Sequence, residues 1–268
     1  MNVARLNVSL EEYEIGISGA VPEREKWSEP AMDRAILEFV SLFCGLVFKY
    51  GGRIVHGSHP TFTPVILHQA RLHAANRLRR PVTLVRSELW PMDEDAERSI
   101  TDIAELIITK KIGTEGPKDP HTFNHSLTAM RRVLIDAQNV MVAVGGKLHE
   151  GDGKTPGVAE EMRMAGDKRV PRFLIGGLGG FSRDLASTLV PHSLGNFLSL
   201  EDNVTLFGTA DIGACVNVLF EHLSRSKELA GAAEQPIKWN PGLKKVIDHR
   251  DGTVDVRTSR YILAAHVS

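Results

Sequence analysis

Hydroxyl, imidazole and amine side chains stand beside glycines at several places in this chain. Gly16 and Gly19 flank Ser18, Gly57 lies between His56 and Ser58, and the pair Gly145-Gly146 is followed by Lys147. Gly176, Gly177, Gly179 and Gly180 form a further group. Glycine lets main-chain amides approach a ligand closely, and the N-terminus of a following helix favours an anion. Together the groups describe a cradle for a phosphate or a nucleotide. Ser18 is then a phosphate-contacting hydroxyl, because its Gly-x-Ser-Gly surroundings lack the Gly-x-Ser-x-Gly spacing of a nucleophile elbow. His56, at the end of the apolar run Arg53-Ile54-Val55, is expected as a hydrogen-bonding group on the ligand side.

Other chemistries are disfavoured by spacing. Gly146-Lys147 has no following hydroxyl residue, and no Gly-x-x-x-x-Gly-Lys-[Ser/Thr] occurs. Gly-x-Gly-x-x-Gly is also missing, which argues against a standard NAD dehydrogenase. The eleven histidines include His68 and His73, five apart, and His121 and His125, four apart, but no His-Glu-x-x-His or Cys-x-x-Cys. No metal and no cofactor is expected. Arg77, Arg79 and Arg80 cluster at an expected helix end, where positive charge suits the dipole.

The elements that must position these groups alternate. Apolar runs at 13–19, 53–57, 81–85, 139–146 and 172–177 read as strands, each ending near glycine or a turn residue. Helices are expected from Pro30 to about Val47, from Thr63 to about Arg79, from Phe123 to Ala137 and from Pro156 to Ala165. The segment Ile103–Ile108 fits either a strand or a helix. Continuous apolar strands imply burial on both faces, and alternating helices imply right-handed crossovers. The expected fold is therefore α/β: a Rossmann-like open, mainly parallel sheet with helices on both faces, plus a C-terminal mainly helical extension. A nucleotide-binding domain is placed at residues 10–181. Residues 182–268 are expected to complete that domain or to form an oligomer interface. Within them Asp211–Ser224 reads as an amphipathic helix, and Asp251-Gly252 as the turn of a hairpin.

Composition narrows the classes. With 32 Lys+Arg against 33 Asp+Glu in 268 residues, the net charge of −1 supplies no field that would draw the chain to nucleic acid or membrane. Cys44 and Cys215 cannot make a disulfide framework and are expected as buried fillers. The opening Met1-Asn2-Val3-Ala4-Arg5 lacks a signal-peptide core, and no apolar run is long enough for a membrane span. A cytoplasmic protein is expected.

The segment Asp136–Ala165 carries a more specific signal. Its strand ends in Gly145-Gly146, and after Lys147–Pro156 comes Gly157-Val158-Ala159-Glu160-Glu161. It resembles the SLOG superfamily, which unites Smf/DprA DNA-processing proteins with LOG-type phosphoribohydrolases. There a strand ends in Pro-Gly-Gly-x-Gly-Thr-x-x-Glu. Here Val144 stands for the proline, Val158 for the threonine, and Lys147–Pro156 is inserted. Tyr50–Gly57 and Ile15–Gly19 resemble the family's second and first strands. The resemblance, over residues 12–180, implies that Gly157 and Glu160 join the ligand-binding set. It also implies that Glu161 and Arg131, or its neighbour Arg132, form a catalytic pair. An arginine can hold phosphate or ribose oxygens, while a carboxylate stabilises an oxocarbenium-like ribosyl centre or aligns water.

Because the insertion and the missing threonine depart from the hydrolase pattern, binding or sensing of a nucleotide-derived ligand is preferred. The ligand could be ADP-ribose-like or a nucleoside phosphate. A nucleotide N-glycosidase is the alternative, and a DNA-binding scaffold is third. The resemblance and the apolar stripe of the 211–224 helix imply a homodimer.

Overall fold

The computed structural model describes residues 8–23, 29–148, 154–226, 244–247, 253–257 and 262–266. Strands and helices alternate: β1 (Glu14–Ala20), α1 (Pro30–Lys49), β2 (Arg53–His56), α2 (Thr63–Ala74), β3 (Val82–Ser87), α3 (Glu94–Thr101), β4 (Ala104–Thr109), α4 (Pro120–Asp136), β5 (Val140–Gly145), α5 (Gly157–Asp167) and β6 (Arg172–Ile175). Then come α6 (Phe181–Thr188), α7 (Leu200–Gly208) and α8 (Ile212–Arg225), and the strands β7 (Lys244–Ile247), β8 (Thr253–Arg257) and β9 (Ile262–His266).

The sheet order is β6-β5-β1-β2-β3-β4-β7-β8-β9. Pairing is parallel from β6 through β7 and antiparallel from β7 to β9. The α/β, Rossmann-like expectation holds. Its physical reason is visible in the period-2 alternation of the strands. On β5, Val140, Val142 and Val144 enter one core with α1, α2 and α8. Met141 and Ala143 face the opposite side and pack with Val158, Met162 and Ala165 of α5. On β2, Ile54 joins the first core, while Val55 packs under α4 with Leu127, Met130 and Leu134. Both faces are covered, so both alternating sets are apolar.

Proline in the first turn starts α1, α2 and α4. The second helix ends at Ala74, earlier than the expected Arg79, and the ambiguous 103–108 segment becomes the strand β4. In the tail, β7 and β8 pair as the two arms of the expected hairpin, with Ile247 opposite Val254; Asp251-Gly252 lies outside the described residues. Tyr13 donates its hydroxyl to the carbonyl of Leu223 at 2.9 Å, tying α8 to the chain just before β1. Cys44 and Cys215 are buried and free. Among the described residues no helix is long and apolar enough to cross a membrane.

After β1 the chain runs outward through β2, β3 and β4, then returns to place β5 on the other side of β1. The β1/β5 boundary is thus the switch point where ligands bind in open parallel sheets, outside the carboxyl ends of the strands. Register brings Val142, Ile17, His56, Leu84 and Leu106 into one row across the sheet. The residues just beyond that row share a single edge.

Candidate functional site

A cavity of about 570 Å³ opens along that edge. It receives Ser18 and Gly19 from β1, His56 from β2 with Gly57 and Ser58 after it, Gly146 and Lys147 after β5, Gly157 and Glu161 from α5, and Arg131 from α4. Gly19, Gly57 and Gly146, far apart in sequence, therefore line one space. Gly16, Gly145 and Glu160 are not part of the lining. Gly16 faces the interior, where a Cβ would fall 1.4 Å from Oε1 of Gln138. Gly145 is packed against the carbonyl of Ala20 and the side chain of Ile36. Glu160 is taken up by Arg131 Nη1 and by the Thr128 hydroxyl, which donates to it at 2.6 Å.

Arg131 is buried and its neighbour Arg132 is exposed, which settles which of the two faces the interior. Beyond its pairing with Glu160, its Nε stands 3.5 Å from Glu161 Oε1, without the alignment of a hydrogen bond. Burial pushes the Glu161 carboxyl above the usual carboxylate range, and the Arg131 charge and the Ser18 hydroxyl pull it part of the way back. Ser18 Oγ lies close enough to act on Glu161 but falls short of a well-directed bond with it. The guanidinium rests on the first residue of α5: a Cβ at Gly157 would meet Arg131 Nη2 at 2.8 Å. That helix begins at Pro156 with no side-chain cap, and the residues at its uncapped start, Gly157 and Val158, line the cavity. A helix N-terminus and a guanidinium are both electropositive and both can hold an anion, although here the Glu160 carboxylate already pairs with the guanidinium.

His56 touches the cavity but is not free to serve a ligand. Its Nδ1 is 2.9 Å from the carbonyl of Ile17, and its Nε2 accepts the amide of His59 at 3.1 Å. One nitrogen must donate and the other accept, so the ring is neutral with its proton on Nδ1. Burial holds its pKa down accordingly. The expected hydrogen-bonding group on the ligand side is thus a clamp between β1 and the following loop. His59, also on the lining, has an Nδ1 that accepts the amide of Thr61 at 3.3 Å and an Nε2 buried without a partner. Burial, Lys147 and His56 push the His59 pKa down to about 3, so near neutral pH it offers an uncharged N–H.

Buried polar atoms without partners are uncommon in folded proteins. Among the described residues, eight side-chain atoms are so placed, and five of them belong to residues lining this cavity: Ser18 Oγ, Ser58 Oγ, His59 Nε2, Arg131 Nε and Arg86 Nη1. All five can donate a hydrogen bond. Lys147 adds a cation at the rim, 2.6 Å from Glu23. Toward β3 the lining turns apolar and aromatic, with Leu84, Trp90, Met92, Ile100, Phe123 and Leu127. Trp90 meets Phe123 edge-on at 5.9 Å between ring centroids, and Lys154 Nζ lies 4.7 Å from the Phe123 ring.

The sequence matches the family model described as SLOG cluster2 over residues 9–203, a span that contains the whole cavity lining. The chain belongs to the SLOG cluster2 family. Among curated proteins, none matches it. Two solved structures are similar to this SLOG chain. One is the X-ray structure of TM1055, at 15% identity and a TM-score of 0.46, covering 78% of this chain and 99% of the other. The second is DNA processing protein A from Helicobacter pylori, described for its single-stranded DNA binding mode. It is 14% identical with a TM-score of 0.45, covering 80% of this chain and 85% of the other.

Arg86, Trp90 and Phe123 are lining residues that sequence reasoning missed, and it did not single out His59 as a ligand contact. A charged Arg86 inside the apolar run Val82–Ser87 was the legible signal for the β3 end. Among the described residues no group of three or more His, Cys, Asp or Glu is gathered as a metal site. His121 and His125 do share one face of α4, their ring centroids 4.2 Å apart.

Proposed function

We propose that this SLOG protein binds a nucleotide-derived ligand in the β1/β5 cavity and acts as a sensor of it. The phosphate lies at the electropositive end, on the start of α5, Arg131, Ser18 and the Ser58–His59 loop. The ribose lies over Gly19 and Gly57, and the base toward Trp90 and Phe123. The observation that carries this reading is that five residues lining one space each hold a buried polar atom without a hydrogen-bond partner. Leaving such groups without partners costs stability, and a ligand rich in acceptor oxygens removes that cost. The mixture of a donor-rich end and an apolar end suits a molecule with one anionic and one flat part. Residues 10–181 are taken as the binding domain and 182–268 as an extension that completes it or pairs two copies.

Hydrolysis is the second reading, and the position of Glu161 favours it. A carboxyl buried beside Arg131 inside the cavity, with its pKa raised, can orient a water toward C1′ of the ribose or steady positive charge there. Attack of that water would break the N-glycosidic bond, leaving a hydroxyl on C1′ and a proton on the departing base. The two readings separate in one experiment. The pure protein is titrated calorimetrically with nucleoside monophosphates, NAD and ADP-ribose, and each mixture is then chromatographed for free base. Saturable heat without base release supports the sensor. Base release that disappears in Glu161→Gln supports the hydrolase. No heat with any of these molecules refutes both.

A further inference from the structure

The β3 end of the cavity has a chemistry of its own. Arg86 is the penultimate residue of β3; its Nη2 donates to the carbonyl of Trp90, while its Nη1 is buried without a hydrogen-bond partner. Next to it, Ser87 Oγ accepts the amide of Leu89 at 3.2 Å, which leaves its own proton to donate. The surrounding lining is Leu84, Trp90, Met92, Ile100 and Phe123. Trp90 and Met92 are 41% and 37% exposed, large apolar groups held at the rim of a cavity. This end is apolar and aromatic, and the Arg86 and Ser87 groups beside it can both donate hydrogen bonds.

We infer that Arg86 reads a keto group on the edge of the ligand's base, so that the site selects a 6-oxopurine nucleotide over an adenine nucleotide. This deepens the proposed function and rests on it. A guanine or hypoxanthine edge presents O6 as an acceptor beside N7, whereas adenine presents an amino donor in the O6 position. Against Arg86 Nη1 the first pairs and the second sets donor against donor. A second phosphate is the poorer occupant of this end. Its surroundings are apolar and aromatic, and Glu97 already acts on the Arg86 charge, holding the guanidinium toward its charged form against burial. The spacing also fits. β3 stands two strands from β1, roughly 10 Å at usual strand separations, the order of the reach from a 5′-phosphate at Ser18 and Arg131 to the far edge of a base.

The test is calorimetric titration of the protein with GMP, IMP and AMP under one set of conditions, repeated with Arg86→Met and Arg86→Lys. The expected result is GMP and IMP binding about tenfold or more tighter than AMP, because a buried donor is left unpaired by the wrong base. Arg86→Met should bring the three within about twofold. IMP is the informative probe, since it shares O6 with GMP but lacks the 2-amino group; its equivalence to GMP assigns the selection to the keto group. These comparisons use the unaltered protein and stand even if a variant folds poorly. Equal binding of all three, or tighter binding of AMP, overturns this inference while leaving the nucleotide site intact. Retention of the preference in folded Arg86→Met also overturns it. Binding of none of the three also overturns this inference, while the nucleotide reading of the site falls only if NAD and ADP-ribose fail to bind as well.

Discussion

Replacing Gly157 by alanine separates the fold from the site in a single methyl group. The added Cβ would lie 2.8 Å from Arg131 Nη2 and 3.5 Å from its Cζ. Ordinary contact begins near 3.4 Å, so the guanidinium must retreat by about 0.6 Å. It retreats against its pairing with Glu160 and its contact with Glu161. The fold itself has little to lose, because Gly157 is the first residue of α5 and alanine is the better helix former by roughly 0.5–1 kcal/mol. The strain on Arg131 offsets part of that gain, and the expected change in urea-denaturation stability is within about 1 kcal/mol of zero. Binding has more to lose. The methyl occupies the space above the helix N-terminus that the proposed function assigns to a phosphate, and it displaces the cation that faces it. Sub-ångström misplacement of a positioning group can cost one to two powers of ten, so the dissociation constant of the ligand identified by calorimetry should rise at least about tenfold. An unchanged affinity in a folded Gly157→Ala protein would refute the placement of the phosphate between α5 and Arg131. A loss of several kcal/mol of stability would refute the claim that the guanidinium yields.

Two further outcomes follow from the buried titratable groups. Because burial raises the Glu161 pKa in the folded protein, stability linked to its protonated form is present at low pH and is lost as pH rises through the folded pKa; Glu161→Gln should therefore be more stable than the parent near pH 7, by about 0.5–2 kcal/mol, with the gap closing toward acid pH in urea melts. His56 behaves with the opposite sign. Its folded pKa is depressed, so its contribution is present above the ordinary histidine range and is lost as pH falls through it. His56→Ala leaves the Ile17 carbonyl and the His59 amide unpaired, which costs about 1–3 kcal/mol for each group left unsatisfied. Its acid-side melting curve should be flatter than the parent's.

Much of the architecture was legible because the strands carry it locally. Runs such as Val140–Gly145 are apolar at every position, and only a strand covered on both faces needs that. Prolines opening α1, α2 and α4 mark their starts by a stereochemical rule that needs no partner. The segment Ile103–Ile108 was ambiguous because a short apolar run fits either period, and its pairing between β3 and β7 decided it. The end of α2 was overrun because its last polar residues match a helix face as well as they match the turn that follows Ala74.

The glycine-flanked groups and the carboxylate after Gly157 were visible in the chain, since residue type and spacing alone suggest an anion cradle. What each does was decided by the fold. His56 and His59 are three residues apart and chemically identical, yet one has both nitrogens consumed by main chain and the other keeps a buried free donor. Glu160 and Glu161 are neighbours, yet their helical directions send one to Thr128 and Arg131 and the other into the cavity. The surroundings of Arg86 were less legible, because the Phe123 ring that packs on its neighbour Trp90 comes from α4, more than thirty residues further along the chain. Local sequence determines the backbone that most segments form; the number of hydrogen-bond partners left over for a ligand is set by what packing brings around each atom, and that is a property of the folded molecule alone.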